Sequence, residues 1–206
     1  MTTAGLVEAI RAARPETPVE VCFLDVVNPR LTDALAARGD SPAVVVPLLL
    51  STGYHVQSDI PAAVAPYPAV RVARHLGPHP LLVDALVDRL GETTLDGSVV
   101  LVGAGSSRRE SADELAETGR LLAERLGRVV PVHTMGDDLR VVFSAVRPPV
   151  HVATYLLAEG QFVTTLREAA AGLGTVASPI GVHPALVELV WARYDAALDQ
   201  PSAAAT

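Results

Sequence analysis

The strongest constraint on this chain is an internal repeat. Leu49-Leu50-Ser51-Thr52-Gly53-Tyr54-His55-Val56 aligns with Leu156-Leu157-Ala158-Glu159-Gly160-Gln161-Phe162-Val163, and Gly77-Pro78-His79-Pro80 aligns with Gly181-Val182-His183-Pro184. Leu82-Val83 and Leu186-Val187 follow in step, and Arg89 and Arg193 close the match. The two alignments are offset by 107 and 104 residues, so the 206-residue chain reads as two similar units. Each unit alternates β-branched runs with amphipathic stretches, the pattern of an α/β fold with parallel strands. Two such units facing one another would enclose a cleft.

In the first unit the pattern predicts a helix over Leu6–Ala13, a strand over Val19–Leu24 and a helix over Pro29–Arg38. A buried strand over Ala43–Leu50 follows, then a helix start at Asp59–Ala65, a strand at Val70–Ala73 and a helix over Pro80–Leu90. The polar stretch Gly91–Gly97 reads as a linker between lobes spanning residues 1–95 and 98–200. The second unit opens with a strand, Ser98–Gly103, and a helix, Glu110–Leu126. Strands at Val129–Val132, Val150–Leu157 and Thr175–Pro179 alternate with helices near Asp137–Val146, Phe162–Ala171 and Pro184–Leu198. The comparison exposes a gap: the first unit begins inside its first helix, so the counterpart of Ser98–Gly103 is missing. That strand would be central in a parallel sheet. Either the start is truncated or something else fills the place.

Composition narrows the function. Half the residues are hydrophobic, yet Ala43–Leu50, the longest apolar run, is broken by Pro47, and a spanning helix needs roughly 20 residues. A net charge of -7 argues against a nucleic-acid or anionic-membrane surface. The single cysteine, Cys22, excludes an internal disulfide or a multi-cysteine metal site and reads as a buried small hydrophobe. There is no lysine, which excludes Schiff-base chemistry and a Walker lysine. No signal peptide is visible, so the cytoplasm is expected.

His55 is the leading chemical candidate. It follows a buried strand, where open α/β sheets bind ligands, and its counterpart Phe162 shows that packing does not demand a histidine. Asp25, at the end of Phe23-Leu24-Asp25, can face the same crevice or cap a turn. His79 and His183 both sit in Gly-x-His-Pro and read as helix caps. His75, His133 and His151 receive no role. Gly103-Ala104-Gly105-Ser106-Ser107 could hold an anion at a helix N-terminus, but Ser107 to Glu110 also fits a capping box.

The run from Pro47 to Pro61, PLLLSTGYHVQSDIP, closely resembles the sirohydrochlorin chelatases, the class II tetrapyrrole chelatases of cobalamin and sirohaem synthesis. Phe23-Leu24-Asp25 with Pro29, Leu76-Gly77-Pro78-His79-Pro80 and Gly105-Ser106-Ser107 are further landmarks. The resemblance covers nearly the whole chain in the family's two-half form. It implies two flavodoxin-like lobes and a lyase that inserts Co²⁺ or Fe²⁺, as substrate and without ATP, into a sirohydrochlorin-type ring. It implies no tightly bound cofactor. His55 then corresponds to the second of two metal-handling histidines, and Leu50, Ser51, Thr52, Gly53 and Tyr54 to the loop against the macrocycle. Asp25 stands where members usually carry a substrate-contacting Glu. The family's first histidine, in a His-Gly-Ser/Thr turn, has no counterpart; Ala104 stands at the equivalent place in the second half, which therefore reads as non-catalytic. Partners are then a tetrapyrrole but no nucleic acid or membrane, with a monomer or homodimer both open. Two alternatives stay open: a homologue that binds tetrapyrrole or metal without insertion, and an anion- or nucleotide-binding protein using Gly103–Ser107.

Overall fold

The computed structural model describes residues 3–24, 27–91 and 96–200. The elements are α1 (Thr3–Ala13), α2 (Leu31–Arg38), β1 (Ala43–Val45), a π-helical turn (His55–Asp59) running into α3 (Ile60–Val64), β2 (Val70–Val72) and α4 (Pro80–Leu90). The second half continues with β3 (Ser98–Gly103), α5 (Arg109–Leu126), β4 (Val132–Thr134), α6 (Leu139–Ser144), β5 (Val150–Tyr155), α7 (Gln161–Ala170), β6 (Gly174–Val176) and α8 (Pro184–Leu198). No helix among the described residues is long and apolar enough to cross a membrane.

All strands pair in parallel, in two sheets. The second half forms a four-stranded sheet in the order β4-β3-β5-β6; among the described residues the first half has only the pair β1-β2. The expected counterpart of β3 is absent among the described residues, and the consequences are local. Val19–Leu24, expected as a strand, makes no ladder and contributes one isolated bridge, Phe23 to Arg30. A β-branched sequence without a neighbouring strand has nowhere to place its backbone hydrogen bonds. Likewise β1 stops at Val45 rather than Leu50, since Pro47 cannot donate and one edge lacks a partner. Cys22, expected to be buried, is half-exposed for the same reason.

The last helix of each half crosses to the other half. α4 packs on β5 and α5, while α8 packs on α1, β1 and β2. One apolar cluster therefore runs through both units, joining Leu6, Ile10 and Leu86 to Val99, Leu122 and Trp191. Repeated arginines fasten the exchange. Arg89 on α4 donates to the carbonyls of Ile180 (2.8 Å) and Val182 (2.9 Å), and Arg193 on α8 donates to the carbonyl of Leu76 (2.8 Å). His79 and His183 cap the crossing helices as expected, each Nδ1 accepting from the backbone N–H two residues on at 3.2 Å. The Ser107 capping box does not form. Arg108 is the N-cap residue of α5, and its N–H donates to Ser106 Oγ at 3.2 Å instead. α5 lies close over β4 because Gly119 faces Val132, where any side chain would collide with the valine methyl.

Candidate functional site

The loop after β1 carries the candidate residues, and the second half holds that loop. Tyr155, at the carboxyl end of β5, donates its hydroxyl to the Leu50 carbonyl at 3.1 Å. Ser111 on α5 donates to Ser51 Oγ at 3.1 Å. Glu114, one turn further along α5, accepts the Thr52 N–H at 2.6 Å and the Thr52 hydroxyl at 3.0 Å. His75, just after β2, places Nε2 2.9 Å from the same carboxylate. His75 is 5% exposed, and burial outweighs the Glu114 charge to lower its pKa below the usual imidazole value. Burial also pushes the Tyr155 hydroxyl up to about 12, so it remains a donor at any physiological pH.

Gly77 permits this closure. A β-carbon there would run into both the Tyr155 hydroxyl and the Leu50 carbonyl. Gly53, by contrast, faces open space, so the fold does not demand glycine at that position.

His55 opens the π-helical turn. Its Nδ1 lies 2.6 Å from Asp59 Oδ2, one turn later, and the two side chains are 40% and 36% exposed. The carboxylate fixes the ring orientation and leaves Nε2 as the nitrogen opposite. His55 also lines a cavity of about 700 Å³. Leu157, Ala158, Gly181 and Val182 from the second half share its wall. These residues follow the carboxyl ends of β1, β5 and β6, the end of a parallel sheet where ligands bind.

Of the residues singled out in the sequence, His55 reaches the cavity, whereas Leu50, Ser51, Thr52, Gly53 and Tyr54 do not line it. Ser51 and Thr52 are turned instead to α5, and Tyr54 is 63% exposed. Asp25 lies outside the described residues. Among the described residues no group of three or more His, Cys, Asp or Glu side chains is arranged to hold a metal ion. Sequence reasoning missed Asp59, Glu114 and His75. Asp59 was legible as an i, i+4 partner of His55, but Glu114 is brought in by tertiary structure alone. Phe162, the counterpart of His55, is half-exposed and has no polar atom to offer beyond its backbone.

Comparisons with known proteins agree on one family. Residues 2–93 match the CbiX family model. A sirohydrochlorin ferrochelatase of Priestia megaterium is 30% identical over 199 residues, covering 83% of this chain and 74% of the relative. A sirohydrochlorin ferrochelatase of Bacillus subtilis is 27% identical, covering 88% and 79%. Among solved structures, SirB from Bacillus subtilis with Fe³⁺ superposes with a TM-score of 0.78 at 25% identity, covering 95% of this chain and 88% of that one. The complex of a Bacillus subtilis SirB with cobalt gives 0.73 at 27% identity.

Proposed function

The chain belongs to the sirohydrochlorin chelatase family, and we propose that it inserts a divalent metal, Co²⁺ or Fe²⁺, into sirohydrochlorin or a related tetrapyrrole. The observation carrying this reading is His55, partly exposed on the wall of the cavity with its Nδ1 engaged by Asp59.

Metallation exchanges two pyrrole N–H protons for one divalent cation. The cation must shed part of its water, and the protons need an acceptor. An imidazole oriented through Nδ1 by a carboxylate offers a nitrogen donor suited to a borderline cation such as Co²⁺ or Fe²⁺ and a candidate acceptor for a pyrrole proton. In this reading His55 Nε2 receives the metal and passes it to the ring. Asp59 holds the imidazole in place through its contact to Nδ1. The loop from Leu50 to Tyr54 carries His55 and is held from behind by Glu114 and Tyr155. Asp25 is assigned to contact the macrocycle. We assign residues 1–95 to a catalytic lobe and 98–200 to a supporting one.

The test is incubation with sirohydrochlorin and Co²⁺, followed through the absorption spectrum of the macrocycle. Catalysed metallation, reduced on the order of 10²-fold or more in His55→Ala, is the expected result. A spectral shift showing that the ring binds while metallation proceeds no faster than without protein would make the chain a tetrapyrrole-binding homologue instead. Equal rates for wild type and His55→Ala would remove His55 from the mechanism.

A further inference from the structure

We propose that Arg108 and Arg109, beside the loop that carries His55, bind carboxylate arms of the macrocycle and so select a ring that bears them. The inference takes its substrate from the proposed activity and its site from the way charge is distributed over the chain.

The arginines fall into two sets. All 16 basic residues are arginine, and most are engaged: Arg14, Arg120 and Arg167 hold carboxylates, while Arg89 and Arg193 hold backbone carbonyls. Arg30, Arg74, Arg108, Arg109 and Arg147 make no side-chain hydrogen bond or ion pair among the described residues. All of these but Arg147 stand at one end of the sheets, the carboxyl end that carries the His55 loop. Arg74 follows β2, and Arg108 and Arg109 follow β3. Arg30 opens α2, whose last residue, Arg38, reaches the Pro42 carbonyl at the opposite end, just ahead of β1. Arg147 comes just before β5 and so lies at that opposite end.

The pair at 108 and 109 is fixed closest to the candidate site. Ser111, in the same turn of α5, donates to Ser51 Oγ at 3.1 Å, which sets the two arginines against the His55 loop. Nothing in the fold accounts for adjacent cations there. The amino end of a helix already carries partial positive charge, so arginines in its first turn oppose it. Glu110, exposed beside them, pairs with neither. The carboxylates of neighbouring loops are taken: Asp59 by His55, Asp137 by the Thr134 N–H and Glu159 by Arg167. Two guanidinium groups therefore stay unneutralised on a chain whose net charge is -7.

The chemistry of the ligand matches. A sirohydrochlorin-type ring carries acetate and propionate arms around a flat centre. An acidic chain repels such a polyanion overall, so the attraction has to be local. A guanidinium offers a forked pair of donors that fits a carboxylate. A ring that brings its centre to His55 extends its arms over the flanking turns, and the first turn of α5 is one of them.

The experiment titrates the full chain with two fluorescent rings: uroporphyrin, which has acetate and propionate arms, and coproporphyrin, which lacks the acetates. Uroporphyrin should bind more tightly. Its Kd should rise about tenfold in Arg108→Ala/Arg109→Ala, and Arg108→Lys/Arg109→Lys, which keeps the charge, should recover part of that loss. Raising salt from ~0.05 to ~0.5 M should weaken wild type more than the double alanine variant. Arg147→Ala removes the same unpaired charge from the other end and should leave Kd within about twofold. No uroporphyrin binding by wild type, equal affinity for the two rings, an unchanged Kd in the double alanine variant, or an equal rise in Arg147→Ala would each overturn the proposal. Metallation of sirohydrochlorin by wild type is measured alongside. Metallation with a Kd indifferent to the arginines would remove this subsite and leave the activity standing. An arginine-dependent Kd without metallation would keep the subsite and remove the activity.

Discussion

Glu114 takes both the N–H and the hydroxyl of Thr52, at 2.6 and 3.0 Å, although 62 residues separate them. The half of the chain that lacks the histidine thus grips the loop that carries it. Glu114→Ala leaves a half-buried N–H and His75 without their acceptor, at a cost of about 1–3 kcal/mol in stability. A loop displaced by about 1 Å also lowers kcat for metallation by up to ~10²-fold, with Glu114→Gln recovering part of both losses. Urea unfolding and initial metallation rates check this; unchanged kcat in a destabilised Glu114→Ala would confine the residue to folding.

Asp59 orients His55 through the 2.6 Å contact to Nδ1. Asp59→Ala should lower metallation about 10- to 100-fold while leaving tetrapyrrole binding in place. Asp59→Asn, which still offers an acceptor, should fall between. Titration of the macrocycle by fluorescence separates binding from rate, and loss of binding in Asp59→Ala would contradict the orienting role.

Arg89 and Arg193 tie the crossing helices to the opposite half. Replacing either with Met leaves buried carbonyls unpaired and should cost about 1.5–3 kcal/mol. Because the core is shared, unfolding should stay a single transition. Trp191 emission reports on α8 against the first half, and far-UV circular dichroism reports on the whole chain. Their midpoints should shift together; a split would show that the halves unfold separately.

His75 makes stability depend on pH. Its pKa is lowered from 6.5 chiefly by burial, with Arg74 and Arg193 adding to the fall and Glu114 opposing it. Between that lowered value and 6.5 the unfolded chain binds more protons than the folded one. Stability contributed by neutral His75 is therefore complete above pH 6.5, is lost as pH drops below it, and levels off beneath the folded pKa. His75→Gln should flatten this slope when urea midpoints are compared between pH 8 and pH 5.

The alternation of strands and helices was legible because apolar periodicity survives in each segment by itself. Gly-x-His-Pro, written twice, correctly announced two helix caps. Val19–Leu24 has strand composition but no ladder, because pairing depends on a neighbour that the segment's own residues cannot supply. Cys22 misled for the same reason. His55 stood out because its twin is Phe162, whereas Glu114 and Tyr155 gave no local signal: their meaning comes only from the loop they meet across the interface. His75 looked solitary in sequence and is part of a hydrogen-bonded cluster in space.

The crossing of α4 and α8 bears on why a duplicated protein would keep a copy that carries Phe162 where the other carries His55. Each copy lends its final helix to its sibling, so deleting the second would strip the first of the helix packed on α1, β1 and β2 and of half its shared core.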